Sequence, residues 1–170
     1  MPEPAERRGA GTHRHDVLFV GGGPAGAAAA YWLAEAGHDV LAVDKKAFPR
    51  DKTCGDGLTP RAVRQLRDMG LEHRLADFHV HVGLRTIAHG RTLELPWPEH
   101  PDFPSYGYVV RRRDLDSLVA EHAVKAGATV RTSTEALAPV LERGLVAGAL
   151  VRDTETGAAE EIRARYVVVA

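Results

Sequence analysis

Hydrophobic positions along the chain fall into short runs that glycine and proline interrupt, and this pattern predicts strands alternating with helices. Residues 16–20 form an apolar run typical of a buried parallel strand. Strong helix formers occupy 24–36, and Gly37 stands where a helix-ending glycine belongs. A second apolar run covers 39–43. Strand, glycine turn, helix and strand in this order predict a βαβ unit.

Downstream, the pattern predicts two more helices, a β segment and an antiparallel meander. The helices are expected at 60–69 and 114–126, and the strands at 79–89, 91–95, 106–110 and 129–133. Residues 137–170 alternate around turns at Arg143-Gly144 and 155–157, which is typical of a meander. Residues 45–59 show no helix or strand period, and 96–104 hold too many prolines for a helix or a central strand.

The domain organisation follows from composition and length. Residues 1–14 lack periodicity and are predicted to be a disordered tail, and 15–170 are predicted to form a cofactor-binding domain with a small inserted β segment at about 79–110. A chain of 170 residues makes about one domain, which excludes a complete two-domain enzyme. The last apolar run, 166–170, is expected to be a buried strand, so the domain is expected to be incomplete.

Composition narrows the function classes. The chain has 22 Lys and Arg against 23 Asp and Glu, a net charge of -1, so nucleic acid is not an expected partner. Cys54 is the only cysteine, which excludes an intrachain disulfide and favours a reducing compartment. No apolar stretch reaches the roughly 18 residues of a spanning helix. We therefore expect a cytoplasmic protein that can touch a membrane surface without crossing it.

The glycine-rich turn is the first candidate site. Gly21, Gly23 and Gly26 follow a strand and open a helix, and Asp44 ends the next strand, 18 residues beyond Gly26. This is close to the spacing of a dinucleotide-binding fold, in which the glycines admit a pyrophosphate at a helix N-terminus and the carboxylate binds a ribose diol. The negative charge of Asp44 disfavours the 2′-phosphate of NADP, and the two lysines at 45–46 partly offset this repulsion. NAD and FAD are therefore favoured over NADP.

Three segments carry a resemblance to a known family. They are DVLFVGGGPAGAAAAYWL, AVDKKAFPRDKTCGDGLTPRAVRQLRDMGL and SYGYVVRRRDLDSLVAEHAVKAGA. Together they resemble the geranylgeranyl reductase family of FAD-dependent oxidoreductases, and most nearly its actinobacterial menaquinone reductase branch. The Pro-Arg-x-Lys-x-Cys-Gly-Asp-Gly motif at 49–57 is the specific part, and the likeness covers residues 16–170.

The resemblance implies a flavoprotein of the p-hydroxybenzoate hydroxylase type: an α/β, Rossmann-like FAD-binding domain with a parallel sheet and an antiparallel meander. In this family reduced FAD delivers hydride to an isoprenoid C=C bond and a proton completes the saturation. The implied partners are an isoprenoid or polyprenyl-quinone substrate and an external electron donor. The alternatives are a flavin monooxygenase or halogenase of the same fold, and a non-catalytic fragment that binds FAD without turnover.

The resemblance also assigns FAD contacts. The glycine turn would hold the pyrophosphate and Asp44 the adenosine ribose. Arg50 and the Cys54-Gly55 backbone would lie nearest the flavin. Arg112, which begins an R-x-x-[LF]-D pattern, would bind the FAD phosphates, and Ala136 would approach the adenine. The full set of predicted cofactor-binding positions is Gly21, Gly23, Pro24, Ala25, Gly26, Asp44, Lys45, Arg50, Cys54, Gly55, Arg112 and Ala136.

One departure from the family pattern concerns the end of the chain. The family continues with an Ala-Asp-Gly-Ala-x-Ser type segment and later with a Gly-Asp motif at the flavin ribityl chain. This chain ends at Ala170, before both. The expectation is a truncated gene product or a fragment that lacks most of the substrate-binding region.

Some residues have two interpretations. Cys54 could be a thiol beside the flavin, but a lone cysteine is more often a small buried hydrophobe, and this interpretation is favoured. His79, His81 and His89 share one strand face. They could bind a metal, but no carboxylate or cysteine accompanies them at ligand spacing, so a solvated face is favoured and no metal site is expected.

Two further clusters are also ambiguous. The run 111–113 is three arginines at a helix start, where the dipole disfavours positive charge, so an anionic partner is favoured over a simple charged end. Trp97, Phe103 and Tyr106 could line an apolar substrate channel or pack the proline-rich loop onto the sheet, and both interpretations stay open.

Overall fold

The computed structural model describes residues 13–170, and the predicted disordered tail lies outside them apart from its last two residues. Three helices, one 3₁₀ turn and eleven strands make up this part of the chain. The helices are α1 Pro24–Glu35, α2 Pro60–Asp68 and α3 Arg112–Lys125, and the 3₁₀ turn is Glu72–Leu75. The strands are β1 Arg14–Val20, β2 Val40–Val43, β3 Gly57–Leu58, β4 His79–His81, β5 Gly83–Ala88, β6 Arg91–Pro96, β7 Gly107–Val109, β8 Thr129–Arg131, β9 Thr134–Glu142, β10 Leu145–Asp153 and β11 Ala159–Val169.

The chain divides into two compact units. Of the described residues, the first unit comprises 13–50 together with Asp116–Ala170, and the second comprises Asp51–Leu115. Helix α3 begins in the second unit and continues into the first. The β segment predicted at about 79–110 lies within the second unit.

The first unit is built on a six-stranded sheet with the order β8-β2-β1-β11-β10-β9. Strands β8, β2, β1 and β11 run parallel, and α1 connects β1 to β2, so the predicted βαβ unit is confirmed. All four residues of β2 are buried. Central parallel strands are covered on both faces, which explains why this strand is a continuous apolar run in the sequence.

Strand β11 joins the parallel strands to the meander. Its first residues, up to Arg163, pair antiparallel with β10, and residues 163–169 pair parallel with β1. The meander predicted over 137–170 is therefore present as β9, β10 and β11. The prediction of a buried strand at 166–170 is wrong for Tyr166 and Val169, which are 65% and 81% exposed. Beyond Arg163 only β1 pairs with β11, which leaves these side chains less covered.

The core of the first unit is built from the parallel strands, the meander and the helices. One buried cluster combines parallel-strand and meander side chains: Leu18, Leu41, Val43, Ala149, Val151, Ile162 and Ala164. On helix α1 the buried residues are mostly small, and Ala27 and Ala30 are almost fully buried. Tyr31 of α1 stacks on His122 of α3 with ring centroids 4.5 Å apart. The alanine-rich helix is thus a packing surface.

The second unit contains a three-stranded sheet, β3-β7-β4, and the separate hairpin β5-β6. The hairpin turns at His89 and Gly90, both with positive φ (49° and 72°), as expected for a tight turn at this predicted position. The strand predicted at 79–89 is interrupted at Val82, because β4 pairs with β7 whereas β5 pairs with β6. The loop predicted at 45–59 also contains the short strand β3.

The helices of the described residues are short compared with a helix that spans a membrane. The longest helix, α3, has 14 residues, and no helix among residues 13–170 is both long and apolar enough to cross a bilayer. A spanning helix needs about 20 mostly apolar residues.

Candidate functional site

The glycine turn and Asp44 lie together at the carboxyl ends of β1 and β2. The backbone N–H of Gly21 donates to the Val43 carbonyl at 2.9 Å, and the N–H of Gly22 donates to the Asp44 carboxylate at 3.1 Å. Open α/β sheets bind ligands outside the carboxyl ends of their strands. The structure thus brings together the two parts of the predicted dinucleotide site.

Close packing explains two of the three glycines. Gly21 has a φ of +116°, and a Cβ added there would overlap the carbonyl oxygen of Ala170. A Cβ added at Gly26 would overlap the carbonyl oxygen of Gly21. Gly23 is the N-cap of α1 and has no side chain with which to cap the helix. The first-turn N–H groups of α1 therefore receive no cap from this residue, and such a helix start favours an anion.

The Asp44 carboxylate is nearly buried, with 8% exposure, and the chain supplies three donors to it. Besides Gly22, the N–H of Lys46 donates to Oδ1 at 2.9 Å and the Arg50 guanidinium donates to Oδ2 at 3.2 Å. An ionised carboxylate has about four acceptor positions. About one position is left for a ribose hydroxyl, fewer than a bidentate diol contact requires.

Arg50 lies between two buried carboxylates. Its guanidinium is 3.2 Å from Asp44 and 3.3 Å from Asp116, whose side chain is fully buried. The guanidinium also lies over the Phe48 ring, 5.2 Å from the centroid. Sequence reasoning assigned Arg50 to the flavin and missed this electrostatic link between the end of β2 and α3. The signal for Asp116 was present, since it is the aspartate of the R-x-x-[LF]-D pattern.

In the second unit, Asp56 holds the start of α3. Its carboxylate accepts a hydrogen bond from the Arg112 N–H at 3.1 Å, and its carbonyl accepts one from the Val110 N–H at 2.8 Å. Asp56 has a φ of 55°, a conformation that Asp adopts more readily than most residues. The loop that precedes β3 is thereby anchored to the first turn of α3.

A cavity opens beside this helix start, and positive charge predominates in it. Four cationic side chains and two carboxylates line it, together with Thr53 and Cys54: Lys52, Arg111, Arg112, Arg113, Asp51 and Asp56. Guanidinium groups bind phosphate oxygens in bidentate fashion. The cavity is chemically suited to an anion, as the arginine run predicted.

Cys54 is exposed, so the favoured sequence interpretation of a buried hydrophobe is wrong. A hydrogen bond from the backbone of Asp56 lowers the pKa of the Cys54 thiol, and the Arg112 side chain lowers it further. The burial prediction failed because the loop at 51–56 turns this side chain toward the cavity. A thiol with a lowered pKa is more readily ionised and more reactive near neutral pH.

The histidines on the β segment do not form a ligand group in the part of the chain that is described. His81 instead contacts the Leu58 carbonyl at 3.2 Å and accepts a hydrogen bond from the Trp97 indole at 3.3 Å. His79 and His89 are exposed.

The aromatic residues of the second unit make packing and hydrogen-bond contacts. Trp97 lies against His81, and Phe103 lies against His100 with centroids 4.7 Å apart. The Tyr106 hydroxyl donates to Glu72 at 2.6 Å, and this hydrogen bond raises the pKa of Tyr106. These contacts favour the packing interpretation over a substrate channel.

The remaining predicted positions lie on the surface or beside the core. Pro24 and Ala25 form the first turn of α1, and Lys45 is exposed directly after Asp44. Gly55 is exposed in the loop before β3. Ala136 of β9 is half-buried and packs against the core cluster of the first unit.

The fold and the glycine turn are those of an α/β dinucleotide-binding protein. Comparison with known families identifies the family within this class. The model of the FAD-binding domain family matches residues 14–170. The chain belongs to this family, and its cofactor is FAD.

Relatives of this chain in sequence include proteins named as reductases. Menaquinone reductase of Mycobacterium tuberculosis (strain H37Rv) is 48% identical over 144 residues, which cover 84% of this chain and 35% of the relative. Digeranylgeranylglycerophospholipid reductase of Methanosarcina acetivorans is 34% identical over 155 residues, which cover 91% of this chain and 37% of the relative. The resemblance to this group of reductases is confirmed, and the chain spans little more than a third of the length of these relatives.

Solved structures confirm the predicted fold. The myxobacterial chondrochloren halogenase superposes with a TM-score of 0.84 at 29% identity, covering 93% of this chain and 37% of the halogenase. A geranylgeranyl bacteriochlorophyll reductase-like protein of Thermoplasma acidophilum superposes with a TM-score of 0.78 at 30% identity, covering 94% of this chain and 40% of that protein. The fold is therefore shared by an FAD-dependent halogenase and a reductase-like protein.

The Arg50 link generates a stability prediction. Arg50→Ala leaves Asp44 and Asp116 buried without their shared cation and is expected to lower the free energy of unfolding by about 3–5 kcal/mol. The matched control is Arg111→Ala, which removes an exposed arginine paired with Asp114 and should cost about 0–1 kcal/mol. Urea unfolding followed by circular dichroism measures both values. Equal costs for the two variants would contradict the role given to Arg50.

The thiol geometry generates a reactivity prediction. The rate of Cys54 alkylation by iodoacetamide, measured against pH, should have a midpoint below that of a free cysteine. Arg112→Ala should move the midpoint upward, because it removes a donor that stabilises the thiolate. Arg85→Ala, a change on the β5-β6 hairpin, serves as the control and should leave the midpoint unchanged. A midpoint equal to that of free cysteine in the unmodified chain would refute the assignment.

Proposed function

We propose that this chain is the FAD-binding part of an oxidoreductase that reduces C=C bonds of an isoprenoid chain, in a geranylgeranyl group or a menaquinone side chain. The observation that carries the proposal is the 48% identity to menaquinone reductase within a match to the FAD-binding domain family over residues 14–170. The second group of relatives, reductases of a digeranylgeranyl lipid, has the same type of substrate in its name.

The residues of the first unit fit FAD. Gly21, Gly23 and Gly26 keep side chains away from the start of α1, where backbone N–H groups would bind the pyrophosphate. Pro24 has no N–H, but its fixed φ suits the first position of the helix. Asp44 would accept one ribose hydroxyl at its remaining acceptor position, with Lys45 beside it.

The cationic cavity of the second unit supports a phosphate contact at Arg112. The guanidinium would bind phosphate oxygens, while Asp56 holds the Arg112 backbone in place. The exposed Cys54-Gly55 segment would lie along the flavin, and Ala136 of β9 would approach the adenine. Arg50 would act indirectly, by fixing Asp44.

When bound and reduced, FAD supplies the hydride for alkene reduction. The protein orients the cofactor and excludes competing reactions. The proposed substrate is an isoprenoid or a polyprenyl quinone, and an external donor reduces the flavin. Since polyprenyl chains partition into lipid, we also propose a cytoplasmic protein with peripheral membrane contact.

Structural similarity favours a second candidate, a flavin-dependent halogenase or monooxygenase, because the halogenase superposes with the TM-score of 0.84. The reductase is preferred because the halogenase is 29% identical and the menaquinone reductase 48% identical. The third candidate is an FAD-binding fragment without turnover.

Product analysis tests the proposed function. The complete gene product, loaded with FAD and reduced with dithionite under nitrogen, is incubated with menaquinone, and the extracted quinone is analysed by mass spectrometry. A gain of two hydrogen atoms in the side chain is the expected result. Hydroxylated or halogenated product in a parallel incubation that admits oxygen and halide would identify the second candidate instead. FAD binding without any product would leave only the non-catalytic module.

Arginine substitutions test the phosphate contact. Arg112→Ala is expected to weaken FAD binding by roughly 10–100-fold, because a charge-assisted hydrogen bond is worth about 1.5–3 kcal/mol. Arg85→Ala removes an exposed guanidinium on the β5-β6 hairpin that does not line this cavity, and it should leave the affinity nearly unchanged. Quenching of flavin fluorescence on titration gives both dissociation constants. An equal effect of the two substitutions would remove the assignment of Arg112.

A further inference from the structure

Two imidazoles converge on one carboxylate at the amino ends of β1 and β2. His13 Nε2 lies 2.8 Å from Asp39 Oδ2, and His15 Nδ1 lies 3.0 Å from the same oxygen. One ligand atom from each residue lies within 4.8 Å of the other two. Strand β1 has seven residues at about 3.3 Å each, so this group is on the order of 20 Å from the glycine turn. The FAD site described above does not use it.

The strand geometry explains the convergence. His13 and His15 are two residues apart, so their side chains project to the same side of the chain, and their rings are nearly perpendicular with centroids 4.5 Å apart. Strands β1 and β2 are parallel and begin pairing at Val17 and Val40. The residue before β2, Asp39, therefore lies beside the first residues of β1.

Backbone hydrogen bonds hold the carboxylate-bearing residue in place. The Asp39 carbonyl accepts hydrogen bonds from the N–H groups of Asp16 and Val17, at 3.0 and 3.2 Å. The Asp39 N–H donates to the Asp16 carboxylate at 3.1 Å. Three contacts thus fix Asp39 without involving its own carboxylate, and a preorganised donor loses little freedom when a ligand binds.

The donor set matches a divalent transition metal. Two imidazole nitrogens and one carboxylate oxygen are the protein ligands of many three-ligand zinc sites, in which water occupies the fourth position. Ligand atoms that lie about 2.0–2.2 Å from a tetrahedral metal are roughly 3.3 Å from one another. The ring nitrogens of His13 and His15 lie 2.8 and 3.0 Å from the Asp39 carboxylate oxygen, so only a small movement would be needed to bind a metal. The His13 side chain is 70% exposed and that of Asp39 43%, so the fourth position is open to water.

We propose that His13, His15 and Asp39 form a binding site for a divalent transition metal ion such as Zn²⁺. Bound metal would fasten the entry of β1 to the start of β2. Sequence reasoning looked for ligands only among the histidines of the β segment. It missed this group because Asp39 is 26 residues beyond His13 and becomes its neighbour only through strand pairing.

Zinc titration of the untagged, metal-free protein by isothermal calorimetry tests the proposal. The variants are Asp39→Asn, which keeps the side-chain shape, and the double variant His13→Ala/His15→Ala. The control is His73→Ala/His79→Ala, which also removes two exposed histidines. The unmodified chain and the control should each bind one equivalent of Zn²⁺, and both site variants should bind at least about tenfold more weakly, the loss that even outer-shell changes commonly cause. Cobalt should give a tetrahedral visible spectrum that the site variants lack.

The results of this zinc titration test the metal site independently of the proposal that the chain binds FAD. Zinc binding that is equal in the unmodified chain and the double-histidine variant would overturn the site, as would a control variant that loses binding equally. Circular dichroism without metal checks that Asp39→Asn is folded, and the double-histidine variant decides the question if it is not. FAD affinity should be the same in all these variants, because the two sites lie at opposite ends of β1.

Discussion

The electrostatic constraint on which the first unit depends is the placement of one guanidinium between two buried carboxylates. Asp44 and Asp116 are almost excluded from water, and each would be costly there without a cation. Arg50 serves both, and Asp44 in turn accepts the Gly22 N–H. The conformation of the glycine turn, the end of β2 and the position of α3 thus share one electrostatic centre. Since most acceptor positions of Asp44 are used within the protein, the contacts of its carboxylate serve first to shape the turn.

Strand β11 imposes the second constraint. Because one continuous strand pairs antiparallel with β10 and then parallel with β1, it joins the meander to the parallel strands in one sheet, and side chains of both share a buried cluster. The carbonyl of Ala170, directly after this strand, approaches Gly21 so closely that no side chain fits there. The first glycine is therefore required by the packing of β11 as well as by the backbone conformation of the turn.

Local patterns were sufficient to predict much of this fold. The βαβ unit, the turns at His89-Gly90 and Arg143-Gly144, and the meander follow from apolar runs and turn residues that lie near one another in sequence. Features that depend on distant partners were missed. Strand β3 exists only through its pairing with β7, and Asp116 gains its role from a residue 66 positions earlier. The exposure of Cys54 likewise depends on a loop with no periodic pattern.

Parallel pairing gives each end of β1 a different chemistry. The register that sets Val20 against Val43 brings the glycine turn to Asp44 at the carboxyl ends, where helix-start N–H groups favour an anion. The same register sets the residues before Val17 beside those before Val40. A βαβ unit therefore also juxtaposes the side chains at the amino ends of its two strands. In this chain those side chains are imidazoles and a carboxylate, which are ligands for a cation. The proposed cation-binding group is thus a geometric consequence of the same pairing that brings the glycine turn to Asp44.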